Sequence, residues 1–500
     1  METQCLLLYG NNSLPGILRN AGPARLATEL RLAGFDTICV DIGALNINYV
    51  STLDKIIEKF VGKDTLWVGI STTFLTNIFG IKISREGLPE SNTSDDKFLL
   101  HFLDKCKQRN PNVKFILGGS YFVNLDKYGF YHFKGYADYE LIEFTQWCKD
   151  QSYKMNIDRL GKVINCKEFS SFVTSQIKWH ASDLIMPNET LPIEISRGCI
   201  FKCKFCAFPL NGKYKGEWIK RTEVLRNELI YNYETYGTTR YIFADDTYND
   251  SLDKITDLYE NVFSKLPFKL NFTSYLRLDL MNRFPDSVEI LQKSGLRSAM
   301  FGIETNNVES AKTIGKGLEF EKQIEFIKKI KTNEFKDVLT HSAFILGLPK
   351  DTRASMESLK QFLLSNNNPL DEWVCRPLSL NPVNYSQHKK YFSEFDLNFE
   401  KYGYKIINDE KDSNIYRMQW SLDDKDFDYN YCLNFSNEIN EKSENLPNMK
   451  FGAQLYARYS TILPEQEVFS TSRLKLKEKY DLPSLVRNYL KNYYTKILSY

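Results

Sequence analysis

Two stretches of this chain alternate short apolar runs of strand length with amphipathic runs of helix length. That alternation restricts the fold more than any other feature. Over residues 1 to 150, "CLLLYG", "DTICVDI", "TLWVGIST" and "VKFILGGS" read as buried strands. Between them lie "GPARLATELRLAGF", "STLDKIIEKFVG" and "DDKFLLHFLDKCKQ", which read as helices. In the first helix Pro23 suits the opening turn, Leu26, Ala27, Leu30 and Ala33 make an apolar stripe, and Gly34 suits the C-terminal cap. In the second, Leu53, Ile56, Ile57 and Phe60 share one face, and Ser51 with Asp54 resembles a capping pair. Strands of this kind, separated by helices, demand a parallel sheet covered on both faces. Ligands of such sheets bind beyond the carboxyl ends of the strands. The segments there are "YGNN", "GISTTF", "LGGSYF" and "KGYAD", small, polar and glycine-bearing.

Residues 151 to 190 lose the rhythm and read as an irregular connection with one or two short strands. A second series follows: "LPIEISRG", "RYIFADD", "FKLNFTSYLR", "SAMFGIET", "THSAFILGLP" and "EWVCRPLSL". Helical patterns such as "RTEVLRNELIYNYETYG" and "RASMESLKQFLL" separate most of them. Six strand–helix units suit a partial (β/α)6 barrel of TIM type, since a complete eight-fold barrel needs about 250 residues. Chemistry in such barrels sits at the carboxyl ends of the strands. From about 390 onward the chain is rich in Tyr, Phe, Asn, Lys and Glu without a clean period, and "LPSLVRNYLKNYYTKIL" reads as a helix. This aromatic segment is expected to close over the barrel mouth.

Composition excludes several classes of function. The 65 basic and 63 acidic residues leave a formal charge of +2, so no global attraction to nucleic acid or anionic membranes arises. "METQCLLLYGNN" has no basic leader region, and "TLWVGISTTFLTNIFGI" carries too many hydroxyl and amide groups to span a membrane. A cytoplasmic location is expected. Seven of the ten cysteines, Cys5, Cys39, Cys106, Cys148, Cys166, Cys375 and Cys432, are scattered and read as small hydrophobes rather than a disulfide framework.

The other three are crowded into "ISRGCIFKCKFCAF", directly after the first strand of the second series: Cys199, Cys203 and Cys206. A structural zinc site takes four ligands, and its fourth would have to come from a distant residue such as Cys166, His132 or His180. Three thiolates can instead hold a cubane iron–sulfur cluster and leave one iron open, whereas fully protein-ligated clusters use four cysteines. The spacing Cys-x3-Cys-x-Phe-Cys, with Phe205 before the third cysteine, resembles the signature of the radical S-adenosylmethionine superfamily. The resemblance implies that the amino and carboxylate groups of S-adenosylmethionine chelate the open iron of a [4Fe-4S] cluster. It also implies cleavage of the sulfonium to give a 5′-deoxyadenosyl radical.

The same resemblance assigns the cofactor's surroundings. In "FADDTYN", Asp245 or Asp246 is a candidate acceptor for its ammonium group. Arg277 in "YLRLD" is a candidate partner for its carboxylate, and Glu304 in "FGIET" for its ribose or polar end. Gly347 in "FILGLPKDT" would permit close backbone approach on the adenine side, and Phe205 would offer backbone contact to adenine. For Arg277 and Glu304 a structural ion pair is the alternative.

The N-terminal domain resembles the cobalamin-binding domain that precedes the barrel in one large class of this superfamily. The segments that carry the resemblance place Ser71, Thr72, Gly118, Gly119, Gly135 and Tyr136 around the cobalamin. The loop "YGNNSLPGILRNAG" contains no histidine, so no cobalt ligand of that type is expected from it. The alternative is a nucleotide-type domain that binds nothing or only docks substrate. The basic run of Lys202, Lys204, Lys213, Lys215, Lys220 and Arg221 reads as a solvated loop and helix start rather than a nucleic-acid site.

The expected architecture is therefore α/β. A Rossmann-like doubly wound sheet (1–150) and a connecting segment (151–190) precede a radical S-adenosylmethionine partial barrel (191–390) and a small α+β C-terminal region (391–500). The expected activity is cobalamin-dependent radical methylation of an unactivated carbon. A radical rearrangement, ring closure or oxidation without methyl transfer is the alternative, and a zinc-stabilised binding protein is the non-enzymatic one. The resemblance also implies an external one-electron reductant such as flavodoxin or ferredoxin. The substrate, whether small molecule, peptide or modified nucleotide, is not named by the sequence, and no membrane partner is expected.

Overall fold

The computed structural model describes the chain except residues 1, 11–17, 44–49, 76, 79–80, 83–95, 120–124, 156–158, 161, 167–171, 209, 382–391, 408–417 and 423. It divides into two compact units, residues 1–186 with 486–500, and residues 187–485.

The first unit is built on a seven-stranded sheet. Its order is Thr37–Asp41, Cys5–Tyr9, Trp67–Ser71, Lys114–Gly118, Phe130–Lys134, Val163–Asn165, Arg159–Leu160. All neighbours pair in parallel except the last two. Successive residues of the first strand serve opposite faces. Leu6 and Leu8 join one core with Ile56, Phe102 and Phe130, while Cys5, Leu7 and Tyr9 join another with Ala27, Leu30 and Phe144. This is why the strand is apolar throughout. The helices fall at Ala21–Leu32, Val50–Phe60, Lys97–Arg109 and Glu140–Lys149. Gly34 takes φ +85° just after the first helix, as its cap requires. The connecting segment belongs to this unit as far as Met186: Arg31 grips the Asp183 carboxylate at 2.8 Å with two nitrogens. So does the end of the chain, which sequence reading placed in a separate C-terminal region. Tyr493 and Ile497, from the helix Leu482–Ser499, enter the core beside Ile56 and Phe102. The hydroxyl of Tyr493 accepts from Asp41 N at 3.1 Å.

The second unit holds six parallel strands in chain order: Leu191–Ile193, Arg240–Phe243, Asn271–Leu276, Leu296–Glu304, Leu339–Leu346 and Glu372–Pro377. This is the expected (β/α)6 partial barrel. Tyr241, Phe243, Phe272, Phe301, Phe344 and Cys375 are buried toward the helices. Residues of the opposite parity face the barrel interior.

The C-terminal segment is split between the two ends of this barrel. An antiparallel sheet of Tyr404–Ile406, Trp420–Leu422 and Asp424–Asp428 packs at the carboxyl ends: Tyr404 donates to Gly347 O at 2.8 Å and Trp420 to Leu378 O at 2.9 Å. The helix Ala453–Ile462 instead closes the amino ends. There Ala453 N donates to Ser298 Oγ at 2.8 Å, Arg240 to Ser460 O at 2.7 Å, and Thr190 Oγ1 to Ala457 O at 3.1 Å. Much of the expected cover is thus a floor. No helix among the described residues is long and apolar enough to cross a membrane.

Candidate functional site

The three crowded cysteines lie on a loop that leaves the first barrel strand and folds back on itself. Gly212 N donates to Cys199 O at 2.7 Å, Cys199 N to Leu210 O at 3.2 Å, Lys220 N to Ile195 O at 2.9 Å, and Arg197 N to Trp218 O at 3.0 Å. Gly198, at φ +74°, is needed here, because a Cβ on it would stand 2.5 Å from Leu210 O. Between the second and third cysteines, Lys204 is pinned from both sides: its N–H donates to Ile314 O at 3.3 Å and its carbonyl accepts from Phe395 N at 3.0 Å. Backbone contacts therefore shape the loop, and the sulfurs are left for ligation.

Each sulfur has a donor nearby. Thr247 Oγ1 lies 3.2 Å from Cys199 Sγ, and Arg277 Nη1 lies 3.6 Å from Cys203 Sγ. Burial pushes the Cys206 thiol up to about 11, against the pull of the Phe208 N–H and the Asn211 side chain. Burial also raises Cys199, opposed by Thr247 and the Phe201 N–H. Donors aimed at sulfur favour the thiolate, and a cationic partner displaces the remaining protons. Among the described residues, no three Cys, His, Asp or Glu side chains gather as a site for a single metal ion. The distant residues a zinc site would have recruited, Cys166, His132 and His180, belong to the other unit.

The segment "FADDTYND" after the second strand is the hub of this site. Asp245 is fully engaged: its carboxylate accepts from Ile195 N at 3.1 Å, Ser196 N at 2.7 Å and Ser196 Oγ at 2.5 Å. It ties the second strand's exit to the start of the cysteine loop, which also cuts the first strand short at Ile193. Asn249 exchanges two hydrogen bonds with the backbone of Arg277, at 2.8 and 3.0 Å. Asp246 is only partly buried. Burial, and then the neighbouring Asp245, raise its carboxyl to about 6. Of the two aspartates, Asp246 is the one left to meet a ligand.

Arg277 follows the third strand. Its Nε and Nη2 hold Asp279 at 2.9 and 2.5 Å, and its guanidinium lies 3.7 Å over the Phe201 ring. Glu304 ends the fourth strand at φ +74°, a left-handed backbone rarely taken by a non-glycine residue. Its carboxylate lies 3.5 Å from Lys316 Nζ. Burial raises the Glu304 carboxyl, with Lys316 and then Arg277 opposing. The ion pairs weighed as alternatives for both residues therefore exist. Phe205 is partly exposed between the cysteines. Gly347 directly follows the fifth strand, Leu339–Leu346. It does permit close approach, at φ +79°, but a Cβ there would stand 2.1 Å from the Trp420 ring. The neighbour it admits is the protein's own indole.

Sequence reading missed a buried charge cluster under the loop. Lys254 Nζ bonds Asp250 Oδ1 at 2.6 Å and Ser196 Oγ at 3.2 Å, and Lys213 Nζ lies 3.7 Å from Asp250 Oδ2. Its one sequence signal was the Asp250–Lys254 spacing of four on a helix start. Lys213, read as part of a solvated run, is buried, and Lys220 pairs with Glu228 at 2.6 Å in the interior.

In the first unit the strand order reverses between Cys5–Tyr9 and Trp67–Ser71, so the crevice opens at the carboxyl ends of these strands. Ser71 and Thr72 stand there, and Thr72 donates to Gly118 O through N at 2.7 Å and Oγ1 at 3.1 Å. Gly135 takes φ +103°, and Tyr136 beside it is partly buried. The histidine-free loop lies mostly outside the described residues. Gly118 and Gly119 differ in kind. A Cβ on Gly118 meets only Phe133 Cβ at 3.7 Å, whereas one on Gly119, at φ +124°, meets Thr73 N at 2.7 Å and Thr72 N at 2.8 Å. A side chain at Gly119 would therefore collide first with the protein's own backbone.

Comparison with known proteins agrees with this geometry. Residues 193–363 match the Radical SAM superfamily. The chain is 28% identical over 169 residues to an uncharacterised methyltransferase of Pyrococcus horikoshii, covering 33% of this chain and 35% of the relative. It is 25% identical over 182 residues to the hopanoid C-2 methylase of Rhodopseudomonas palustris, covering 36% and 34%. The chain thus spans about a third of the length of these curated relatives. Its fold resembles that of the radical S-adenosylmethionine methyltransferase TsrM of Kitasatospora setae, solved with cobalamin and a [4Fe-4S] cluster, with TM-score 0.55, 12% identity and coverage of 82% and 81%. It also resembles the cobalamin-dependent radical enzyme OxsB, with TM-score 0.51, 15% identity and coverage of 80% and 56%.

Proposed function

We propose, from the match of residues 193–363 to the Radical SAM superfamily, that the chain is a radical S-adenosylmethionine enzyme methylating an unactivated carbon with cobalamin. One observation carries the reading. Three thiols sit on one backbone-shaped loop at the carboxyl end of the first barrel strand, with donors from Thr247, Arg277 and backbone N–H groups at their sulfurs. That donor set fits a [4Fe-4S] cluster held by Cys199, Cys203 and Cys206. Held by these three cysteines beside S-adenosylmethionine, such a cluster would supply one-electron reductive cleavage of the cofactor's sulfonium bond. An external one-electron reductant, of the flavodoxin or ferredoxin kind, supplies that electron.

The chain's own residues then have separable tasks. Asp246 accepts from the cofactor's ammonium group. Arg277 presents its remaining nitrogen to a cluster ligand, and Glu304 offers a carboxylate on the cofactor's polar side. Asp245 and Asn249 act through the backbone, locking the loop and Arg277 in place. The floor helix Ala453–Ile462 keeps water from entering at the amino ends. In the first unit, Ser71, Thr72, Gly118, Gly119, Gly135 and Tyr136 form the crevice for cobalamin, which supplies the methyl group when bound.

The test is anaerobic reconstitution with iron, sulfide and hydroxocobalamin, followed by assay for 5′-deoxyadenosine. Alanine at any of Cys199, Cys203 or Cys206 is expected to abolish cluster binding or cofactor cleavage, while alanine at Cys39 or Cys375 leaves iron content intact. Formation of 5′-deoxyadenosine by a triple alanine variant under dithionite would overturn the assignment. A loaded enzyme that makes the radical without binding cobalamin would leave rearrangement or oxidation in place of methyl transfer.

A further inference from the structure

The ion pairs of Arg277 and Glu304 belong to one cluster of alternating charge. Asp279 is held below the usual carboxylate range despite its burial, by Arg277 and then by Lys316. Burial raises Glu304, and there Lys316 and then Arg277 oppose it. Of these four residues, Lys316 lies outside the cofactor motifs.

The local sequence fixes the base of its side chain. "TIGKG", residues 313 to 317, ends the helix Val308–Ile314 with Gly315 at φ +84°, a left-handed cap. Lys316 N then returns to Ala311 O at 2.9 Å. Ile314 O, in the same turn, accepts from Lys204 N at 3.3 Å, between the second and third cysteines. One helix end therefore steadies the cysteine loop and carries Lys316.

From there the ammonium reaches back to the fourth strand. Lys316 Nζ donates to Gly302 O at 2.8 Å and lies 3.5 Å from Glu304 Oε1. The strand end is shaped to receive it. Pairing of Leu296–Glu304 with Leu339–Leu346 slips between Gly302 and Glu304, where Glu304 takes φ +74°. An irregularity of this kind re-aims a side chain. The carboxylate folds back over Gly302, whose absent side chain is the seat of the pair. A Cβ there would stand 2.6 Å from Glu304 Oε1 and 3.0 Å from Lys316 Nζ. Oε1 is thus committed to Lys316. Oε2 has no hydrogen-bond partner among the described residues and is not sealed from solvent.

Resting on the radical-enzyme reading, we propose that Lys316 is a positioning residue: it holds Glu304 folded over Gly302 so that Oε2 accepts from the ribose hydroxyls of the cofactor's nucleoside end. An ionised carboxylate accepts and cannot donate, so it meets donors. Asp246 takes the cofactor's ammonium, and the two neighbouring ribose hydroxyls are a donor pair that one carboxylate can serve. Without the Lys316 ammonium, no hydrogen bond among the described residues fixes Glu304 in this seat.

The experiment compares 5′-deoxyadenosine with 2′,3′,5′-trideoxyadenosine, which lacks both ribose hydroxyls. Binding of each to the iron-loaded protein is measured by equilibrium dialysis. Wild type is expected to prefer 5′-deoxyadenosine by about tenfold or more, as hydrogen bonds to a charged acceptor give. Lys316→Met is expected to remove most of that preference while iron content and affinity for the trideoxy probe stay near wild type. Gly302→Ala, which fills the seat without changing any charge, is expected to reduce it as well. Added to Glu304→Gln, Lys316→Met is expected to cause no further loss, because the lysine acts through the glutamate. A wild type without the preference, a preference kept by Lys316→Met, or equal loss of both probes would overturn the proposal. So would a further loss in the double variant. A preference that depends on Lys316, in a protein that forms no 5′-deoxyadenosine from S-adenosylmethionine under dithionite, would instead remove the radical reading and leave the nucleoside site assigned.

Discussion

Nη1 of Arg277 points at Sγ of Cys203 from 3.6 Å, while the other edge of the same guanidinium is clamped by Asp279. The clamp and the Phe201 ring beneath leave the fork no other direction. A positive group at a ligand sulfur stabilises the more negative, reduced cluster. Arg277→Met is therefore expected to keep its iron but shift the cluster's reduction potential to a more negative value, read by titration under electron spin resonance. Arg277→Lys, without the fork that Asp279 holds, should not restore it. An unchanged potential in Arg277→Met would leave the residue a purely structural one.

The adjacent aspartates should separate in two assays. Asp246→Asn removes a charge while keeping the shape and an oxygen that can still accept from the Gly198 N–H. It is expected to weaken S-adenosylmethionine binding by roughly 1.5–3 kcal/mol, about ten- to a hundredfold, with iron content preserved. Asp245→Asn turns one of the two oxygens that accept from Ile195 N, Ser196 N and Ser196 Oγ into an NH2 donor facing an N–H or hydroxyl. Its expected effect is a lower urea midpoint of the cluster-free protein, a loss of ~1–3 kcal/mol.

What could be read from the sequence followed from periodicity and local spacing. Both parallel sheets are legible because strands buried on two faces must be apolar throughout, and the cysteine loop because its chemistry is local. Contacts between distant segments were not legible. Trp420 sits in a stretch without a period, so nothing marked it as the neighbour Gly347 makes room for. The helix Leu482–Ser499 shows an apolar face but not its partner, and so its place beside Ile56 and Phe102 was missed. Asp245 and Asp246 are the same residue twice in sequence. Only the fold distinguishes the one that closes a loop from the one that faces outward.

Asp351 gives the clearest pH signature away from the cluster. Its carboxylate accepts from Gly347 N at 3.1 Å, Leu348 N at 3.0 Å and Ser310 Oγ at 2.7 Å, yet burial outweighs these bonds and raises it to about 6. A carboxyl whose pKa is raised in the fold binds a proton there that the unfolded chain has already released. Its contribution to stability is complete below about pH 4 and is lost as the pH rises through about 6. The size is at most ~3 kcal/mol, from two pH units at about 1.4 kcal/mol each. Urea unfolding of cluster-free protein should show this decline in wild type and a smaller one in Asp351→Asn. Parallel pH profiles for the two would show that Asp351 does not titrate in this range.

Gly118 and Gly119 provide the test of cobalamin binding, and their geometry decides which of them is informative. A side chain on Gly119 must displace the backbone of Thr72 and Thr73 and hold φ +124°. Gly119→Val is therefore expected to destabilise the first unit by ~1–3 kcal/mol with no ligand present, so its loss of cobalamin would say little. At Gly118 the backbone is unstrained, and a Cβ makes only ordinary contact with Phe133. Gly118→Val should keep the urea midpoint near wild type while its added methyl groups enter the crevice beyond the strand. The expected result is loss of the visible absorption of cobalamin after gel filtration, with iron content unchanged, since the cysteine loop belongs to the other unit. The wild-type Co(II) form should show no imidazole nitrogen coupling from the loop "YGNNSLPGILRNAG", which contains no histidine. Clear coupling would point first to His132 or His101. Cobalamin retained by Gly118→Val at wild-type affinity would move the ligand away from the Trp67–Ser71 and Lys114–Gly118 strand ends, and with it the roles given to Ser71 and Thr72.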